Sequence, residues 1–552
     1  MTNYQFTGGT ICAPATIPGT GAISIIRVSG KESLAIADKV IDTKGVPIAE
    51  TEGYRLRYGT VFEADGSVLD NVIVSVFRAP HSYTGENSVE ISCHASRFIV
   101  NKILEILVNA GARIAAPGEF TRRAFVNGKM DLAQAEAVAD VIASQSAASH
   151  RVAMNQLKGG FSSELKTLRE KLLTMTSLLE LELDFSEEDV EFASRKELGQ
   201  LVDDSLTHIG RLTASFSRGN AIKNGVPVAI VGATNTGKST LLNALLGEER
   251  AIVSDIAGTT RDTIEETLNI DGILFRFIDT AGIRETDETI EKIGIDRTFK
   301  KLGEAAVVLG MTDLSRGEAA VLEDADFILS KVNEMGGVKN DGLAIDGAET
   351  GGAPLAGTDG ASLAGTDRTS LAETGGASQH GHGDGQERKV VILVNKCDVA
   401  GDFYRDDNGT GDGSGNDLGE NMAEIGGNKN VNHDNNIVSL IENKYDNCKV
   451  IPISAKTGKG LSTLTKTLGE IGSEITGSTD ETLVTNVRHY EALVRAASAL
   501  ERVRAGLHIS TLPPDLIAQD LREALYHLGE IVGEITTDET LGNIFRNFCI
   551  GK

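Results

Sequence analysis

The stretch Val228-Ala-Ile-Val-Gly-Ala-Thr-Asn-Thr-Gly-Lys-Ser239 decides the fold. Four apolar residues that read as a strand lead directly into a G-x-x-x-x-G-K-S loop, and residues 241–246 continue with helical texture. In such a loop the glycines let backbone N–H groups wrap phosphates, Lys238 reaches the outer phosphates and Ser239 offers a hydroxyl to Mg²⁺. Because strands and helices alternate from residue 226 to about 474, we predict a parallel α/β domain around this loop.

Two further motifs follow in the order that phosphate chemistry needs. The segment Gly258-Thr-Thr-Arg-Asp262 supplies Thr260, which can complete a magnesium shell and sense a terminal phosphate. The strand-like Phe275-Arg-Phe-Ile-Asp-Thr-Ala-Gly282 ends in D-x-x-G, so Asp279 can hold Mg²⁺ through water and Gly282 can meet the γ-phosphate.

The last two motifs predict which nucleotide base the protein binds. Val390-Val-Ile-Leu-Val-Asn-Lys-Cys-Asp398 ends in N-K-x-D, and Asp398 can accept two hydrogen bonds that guanine donates and adenine cannot. Val450-Ile-Pro-Ile-Ser-Ala-Lys456 then offers a backbone N–H to the guanine carbonyl. All motifs in sequence, each at a strand end, predict GTP hydrolysis. The predicted nucleotide-binding residues are Asn235, Thr236, Gly237, Lys238, Ser239, Thr240, Thr260, Asp279, Thr280, Ala281, Gly282, Asn395, Lys396, Asp398, Ser454, Ala455 and Lys456.

One position separates this pattern from a Ras-like switch. The residue after D-x-x-G is Ile283, where a glutamine could have oriented the attacking water. No arginine finger can be assigned from the sequence. A metal ion, another side chain or a partner must therefore supply the missing catalytic groups.

The composition limits the class of protein. The 552 residues suggest about three domains, and 40% of them are apolar. A net charge of −26 counts, though only weakly, against a protein that coats nucleic acid. The five cysteines are scattered without a C-x-x-C pair, which indicates neither a disulfide framework nor a zinc site. With no signal peptide, transit peptide or eighteen-residue apolar run visible, we expect a cytoplasmic protein without a membrane.

Changes in hydrophobic periodicity and composition divide the chain into domains. We expect an α+β domain over residues 1–125, a helical domain over 126–222 and 475–552, and an α/β domain over 223–474 inserted between the two helical segments. Leu165, Leu168, Leu172, Met175 and Leu179 share one helix face, as do Leu493, Ala496, Ala497 and Leu500 in the later segment. Residues 336–387 and 401–436 lack apolar periodicity, and we interpret both as disordered insertions.

Outside the phosphate and base motifs, several segments resemble one known family. They are Arg27-Val-Ser-Gly30, Ser82-Tyr-Thr-Gly-Glu86, Pro117-Gly-Glu-Phe-Thr-Arg-Arg-Ala-Phe125, Asn127-Gly-Lys129, Gln134-Ala-Glu136 and the terminal Phe548-Cys-Ile-Gly-Lys552. Together with the GTPase motifs they closely resemble the MnmE (TrmE) family of tRNA modification GTPases. The resemblance covers the chain except for the two insertions.

The resemblance implies a multidomain fold and a partner-dependent reaction. It implies an N-terminal α+β domain that binds a reduced folate (5,10-methylene- or 5-formyl-tetrahydrofolate) and mediates homodimerisation, a helical bundle and an inserted Ras-like P-loop domain. With the flavoprotein MnmG, such a dimer adds an aminomethyl-type (carboxymethylaminomethyl) group to C5 of the wobble uridine of certain tRNAs. Arg27, Glu90, Lys129 and Lys552 match the family's folate contacts. Cys549 matches a cysteine regarded as functionally important there, and we predict it to be catalytic.

The resemblance also implies that K⁺ replaces the arginine finger. Asn235 matches the side-chain ligand of the ion, and Ser254, Ile256 and Thr259 lie in the segment whose carbonyls surround it. Glu291 matches the glutamate that positions water. The whole segment, which also joins the predicted GTP-binding set, is Ser254, Asp255, Ile256, Ala257, Gly258 and Thr259.

Two other functions stay open on the residues alone. A GTPase switch for ribosome assembly would use the other domains only to dock a partner, but neither a second P-loop nor a G-x-x-G RNA-binding module follows the GTPase motifs. A folate-dependent one-carbon transferase would merely carry a GTPase, and GTP dependence of the modification would distinguish it.

Overall fold

The computed structural model describes residues 8–184, 194–249, 266–278, 305–334, 388–398, 437–445, 448–477, 481–507, 514–546, 548 and 551. They form two compact units, one from Met1–Gly225 with Ser473–Lys552 and one from Val226–Gly472. The chain of the second unit is thus inserted into that of the first. The segments 336–387 and 401–436, which we interpreted as disordered insertions, lie outside the described residues.

The first unit begins with a seven-stranded sheet in the order β3-β4-β5-β6-β2-β1-β7. Its strands alternate buried and exposed residues, as in β5, and the buried side packs under helices α1 and α2 in one apolar core. The strands are β1 (Ile11–Pro14), β2 (Ile23–Ser29), β3 (Ile41–Asp42), β4 (Arg55–Phe62), β5 (Val68–Phe77), β6 (Ser88–His94) and β7 (Arg113–Ile114). The helices are α1 (Ser33–Val40), α2 (Arg97–Asn109) and α3 (Glu119–Val126).

Five helices continue the first unit: α4 (Leu132–Ala143), α5 (Ala147–Leu157), α6 (Gly160–Asp184), α7 (Arg195–Ala214) and α8 (Phe216–Asn224). Two of them start where local chemistry satisfies the free N–H groups of a first turn. Asp131 and Gln134 form a capping box before α4, and Ser146 and Ser149 form one before α5. These caps fix the short turns at which the chain reverses.

The second unit contains, among its described residues, a six-stranded sheet in the order β13-β12-β11-β8-β10-β9. Only β9 runs antiparallel to its neighbour, so the carboxyl ends of the other strands share one edge. The strands are β8 (Val226–Gly232), β9 (Glu266–Ile270), β10 (Ile273–Ile278), β11 (Val307–Asp313), β12 (Lys389–Asn395) and β13 (Cys448–Pro452). The helices are α9 (Lys238–Glu249), α10 (Glu318–Glu334), α11 (Ile437–Lys444) and α12 (Leu461–Thr476).

Three helices complete the first unit: α13 (Val487–Leu507), α14 (Pro514–Val532) and α15 (Asp538–Arg546). The leucine stripe of α6 and the apolar stripe of α13 meet in one buried cluster, together with residues of α7 and α14. The two helical segments therefore pack on each other, as the spacing predicted. Among the described helices, none is both long and apolar enough to cross a membrane.

Candidate functional site

The phosphate-binding loop connects β8 to α9 at the carboxyl edge of the six-stranded sheet. Every residue of β8 is buried or half-buried, which suits a central parallel strand. Asn235 in the loop has a φ of 62°, a left-handed conformation that asparagine tolerates better than most residues. Thr236 is fully buried, and its hydroxyl donates to the carbonyl of Ala233 over 2.9 Å. The conformation of Asn235 and this hydrogen bond define the shape of the loop.

Lys238 and Ser239 stand in the first turn of α9. The Lys238 ammonium donates to the carbonyls of Gly232 and Ala233 at 2.9 and 2.8 Å. Burial lowers the pKa of this lysine, because a desolvated ammonium is less stable. A polyphosphate would offer the ammonium stronger acceptors than these two neutral carbonyls.

Asn395, the first residue of the N-K-x-D motif, joins the phosphate loop to the base loop. Its amide nitrogen donates to the carbonyl of Thr236 over 2.6 Å, and its amide oxygen accepts the backbone N–H of Ala455 over 3.0 Å. A Cβ at Gly237 would collide with the Asn395 side chain, and Gly237 has a φ of 100°. The second glycine of the loop is therefore required on both steric and conformational grounds.

The base side of the site lies at the ends of β12 and β13. Ser454 is fully buried, and its backbone N–H donates to the carbonyl of Lys459 over 2.9 Å, which closes a tight turn after β13. The backbone N–H of Cys397 donates to Ile453 across the same edge. Asp398 and Lys456 are exposed, as groups that meet a ligand must be. The structure thus brings together predicted residues that lie more than two hundred positions apart.

Several predicted residues fall outside the described part of the chain. They are Ser254, Asp255, Ile256, Ala257, Gly258, Thr259, Thr260, Asp279, Thr280, Ala281, Gly282, Glu291, Cys549 and Lys552. The predicted potassium and magnesium ligands therefore rest on sequence alone, apart from Asn235 and Ser239.

Arg27 and Glu90, two of the predicted folate contacts, are direct cross-strand partners on β2 and β6. The Arg27 Nε donates to Glu90 Oε1 over 2.9 Å. The guanidinium lies 5.0 Å from the ring centre of Tyr83 and 5.6 Å from that of Phe120. Burial raises the pKa of Tyr83, so its phenol stays neutral. A guanidinium flanked by two aromatic rings is suited to a planar, polar ligand.

A buried ion network supports this pocket. Arg123 is 3% exposed, and it donates to Glu86 over 3.0 Å and to Glu119 over 3.0 Å. Burial alone would raise the pKa of Glu119, but hydrogen bonds from Arg113 and the backbone of Ala116 outweigh it and hold that pKa below its ordinary value. The site prediction missed Tyr83, Glu86, Glu119, Phe120 and Arg123, although all five belong to the family-like segments quoted from the sequence.

Lys129 and the C-terminal segment both contact the N-terminal sheet region that contains Arg27 and Glu90. The Lys129 ammonium donates to the carbonyl of Pro80 over 3.0 Å, beside the loop that carries Tyr83. Helix α15 packs against α3 through Phe545. Gly551 has a φ of 97°, and a Cβ there would collide with the carbonyl of Pro14 at the end of β1. Only glycine permits this approach of the C-terminal segment.

Comparison with known proteins extends the assignment to the whole chain. The family profile described as "GTP-binding protein TrmE N-terminus" matches residues 10–129, and that described as "MnmE helical domain" matches residues 132–549. The chain is 45% identical over 546 residues to the "tRNA modification GTPase MnmE" of Parabacteroides distasonis, which covers 98% of this chain and 100% of that protein. The protein of the same name from Bacteroides thetaiotaomicron is 44% identical over 546 residues, covering 98% of this chain and 99% of the relative.

Among solved structures, the FeoB G-domain from Methanococcus jannaschii matches with a TM-score of 0.23 and 17% identity, over 45% of this chain and 97% of that one. That likeness is too weak to support a conclusion. The family profiles and the full-length relatives suffice: this chain belongs to the MnmE (TrmE) family of tRNA modification GTPases.

Proposed function

We propose that this GTPase drives the addition of an aminomethyl-type (carboxymethylaminomethyl) group to C5 of wobble uridine in certain tRNAs. It acts as a homodimer with the flavoprotein MnmG, and a reduced folate supplies the carbon. The observation that carries the nucleotide part is Asn395, whose amide bonds to both the phosphate loop and the base loop. The observation that carries the folate part is the Arg27–Glu90 pair between two aromatic rings.

Different residues of the nucleotide site bind different parts of GTP. Backbone N–H groups of the loop and the start of α9 meet the phosphates, and Lys238 exchanges its two carbonyl partners for phosphate oxygens. Ser239 and Thr260 would hold Mg²⁺, which neutralises charge on the phosphates when bound. Asp398 accepts the guanine N1–H and amine, and Ala455, held by Asn395, presents the base turn.

Asn235 is the residue through which we expect K⁺ to act. It is exposed in the phosphate loop, and its amide oxygen is a ligand type that hard cations accept. Carbonyls of Ser254, Ile256 and Thr259 would complete the shell when two GTPase domains pair. Glu291 would position the attacking water. A cation there supplies the positive charge of an arginine finger.

Arg27, Glu90, Lys129 and Lys552 would hold the folate. The carboxylate of Glu90 suits the hydrogen-bond donors of a pterin, and the cations suit its glutamate tail. Arg27 is fixed by Glu90 and by both rings, so it loses little freedom on binding. Cys549, three residues before Lys552, is the candidate thiol for the partner-dependent chemistry.

Hydrolysis in two salts tests the cation mechanism. We expect GTP turnover to be faster in KCl than in NaCl at equal ionic strength, by an amount approaching the roughly 10³-fold lower limit of an arginine finger. The Asn235→Ala variant should lose this difference, and Glu291→Ala should bind GTP normally but turn over poorly. Asp326→Asn, which removes a solvent-exposed pair with Lys444 away from the predicted nucleotide-binding residues, serves as the control for Asn235→Ala. Equal rates in both salts would remove the potassium role and leave the GTPase intact.

A further inference from the structure

Asp313 closes β11 at the carboxyl edge of the six-stranded sheet, directly opposite Asn395 in the parallel ladder with β12. The residue is 5% exposed. Its Oδ2 accepts the Lys396 ammonium over 2.6 Å, while its Oδ1 accepts the backbone N–H and the hydroxyl of Ser315 over 3.0 and 2.6 Å. Burial alone would raise the pKa of Asp313, but these bonds outweigh it and the pKa lies below its ordinary value. The carboxylate is ionised and held at both oxygens.

This contact fixes the far end of the Lys396 side chain. The near end is fixed as well, because Lys396 follows β12 directly and has a φ of 64°. The methylene groups between the two ends therefore have few rotamers left, although the side chain is 34% exposed. A free lysine side chain has many rotamers, and Lys396 has lost most of this freedom before any ligand arrives.

The restricted side chain of Lys396 lies in the segment that we assign to base binding. It lies between Asn395, which holds the Ala455 backbone N–H, and Cys397, whose N–H bonds to Ile453. Asp398 follows two residues later and is exposed. The methylene stem of Lys396 thus lies among the groups that we assign to the guanine ring, and apolar methylenes are a good surface for a flat base.

We propose that Asp313 is a positioning residue of the base site. By binding the Lys396 ammonium, Asp313 holds the methylene groups of Lys396 in place as a pre-formed surface on which the guanine ring packs. This inference rests on the proposed nucleotide site. A surface that is ordered in advance lowers the entropy cost of binding the base. Since the phosphates are bound elsewhere, the effect of Asp313 falls on nucleotide affinity and KM rather than on kcat.

The test compares GDP and GTP binding in four variants. Asp313→Asn should weaken the Kd for GDP roughly 10-fold, the size expected if the freed Lys396 side chain must give up its rotamer freedom on binding. Lys396→Met, which keeps an unbranched stem but removes the ammonium, should weaken it similarly. In the Lys396→Met background, Asp313→Asn should add less than about twofold, because the two residues act as one unit.

Asp326→Asn is the matched control. Asp326 pairs with Lys444 over 2.7 Å in the same unit, but both side chains are substantially exposed. We expect GDP affinity to be unchanged in this variant. A structural role of Asp313 would lower affinity through partial unfolding and independently of Lys396, and the double variant separates that case.

The outcomes distinguish failure of the positioning role of Asp313 from failure of the proposed nucleotide site. If Lys396→Met weakens binding and Asp313→Asn does not, the positioning role is wrong and the nucleotide site stands. If neither variant changes the Kd, Lys396 does not contact the base and the inference is wrong, while the base site itself is tested separately by Asp398→Asn. Full additivity in the double variant would also overturn the inference. Should Asp313→Asn not fold, Ser315→Ala removes the hydroxyl that donates to Oδ1 but keeps the backbone N–H, so we expect a smaller loss of GDP affinity. An unchanged GDP affinity in that folded variant would contradict the positioning role.

Discussion

At the scale of single residues, Asn395 shows how one side chain assembles a site from distant segments. Its two amide bonds leave no freedom for the phosphate loop and the base loop to move apart. Substituting it would leave the buried carbonyl of Thr236 and the N–H of Ala455 without these partners, which costs about 1–3 kcal/mol for each group. We expect recognition of the base, by contrast, to depend on Asp398, which is exposed.

Asp398→Asn tests that recognition. An amide offers one acceptor where the carboxylate offers two, so we expect GTP affinity to fall by roughly 10- to 100-fold and xanthosine triphosphate to be partly admitted. Competition titrations with a fluorescent guanine nucleotide measure both effects. Unchanged GTP affinity would show that Asp398 does not read the base.

Arg27→Ala tests the folate pocket. Removing the guanidinium takes away the cation between Tyr83 and Phe120 and leaves Glu90 without its partner. We expect the Kd for 5-formyl-tetrahydrofolate, measured by calorimetry, to rise about 10-fold or more, while GTP hydrolysis stays near wild type. Lys102→Ala, which removes a surface pair with Glu105, should change neither. A wild-type protein that binds no folate would refute the pocket.

The sequence identified the residues of the motifs but not all of their partners. Lys238, Asn395 and Asp398 were predicted because their chemistry follows from fixed spacing within one segment. Asp313 carries no motif, and it meets Lys396 only because β11 and β12 pair in one register. Tyr83 and Phe120 reach Arg27 in the same way, through folding of separate segments. Contacts of that kind need the strand order.

At the scale of elements, a buried ionic cluster ties three helices of the first unit together. Glu136 of α4 accepts from Arg488 Nε over 3.0 Å and lies 2.6 Å from His489 Nε2. Arg488 also donates to the carbonyls of Glu530 and Ile531 over 2.7 and 3.1 Å, which satisfies the free end of α14. The chain continues from this end of α14 into α15 and then into the C-terminal segment.

The cluster predicts a specific acid sensitivity. Burial alone would raise the pKa of Glu136, but His489 and Arg488 outweigh it and lower the pKa to about 2. Because the folded-state pKa lies below the ordinary one, the stabilising effect is complete above about pH 5 and is lost as the pH falls toward 2. A shift of this size corresponds to about 3 kcal/mol.

Calorimetric unfolding between pH 5 and pH 2.5 measures this contribution. We expect Glu136→Gln to lower the unfolding temperature at pH 5 and to flatten its decline at lower pH. Glu491→Gln, which removes an exposed pair with Arg495, should behave as wild type. An equal pH dependence in Glu136→Gln and wild type would show that the cluster does not stabilise the fold in this way.

Helices and strands were predictable to different extents. The stripes on α6 and α13 repeat over several turns, so their spacing correctly predicted a shared core. The seven-stranded order of the first unit could not be read from short runs, because β1 pairs with β2 and with the distant β7 through backbone bonds that carry no sequence pattern.

At the scale of the whole molecule, the chain of the GTPase unit is inserted between two segments of the other unit. The GTPase unit interrupts the helical part, whose two segments share a core and whose C-terminal end lies against the N-terminal sheet. The two relatives named above match 98% of this chain in sequence. We propose that this arrangement exists so that GTP hydrolysis controls the modification chemistry.

The measurement that tests this claim most directly is mass spectrometry of tRNA nucleosides. A strain that lacks this protein would be complemented with the wild type, with Lys238→Ala or with the control Asp326→Asn. We predict that C5-modified wobble uridine disappears in the deletion and returns with the wild type and with Asp326→Asn, but not with Lys238→Ala. Unchanged wobble uridine in the deletion strain, or full restoration by Lys238→Ala, would contradict a GTP-driven tRNA modification.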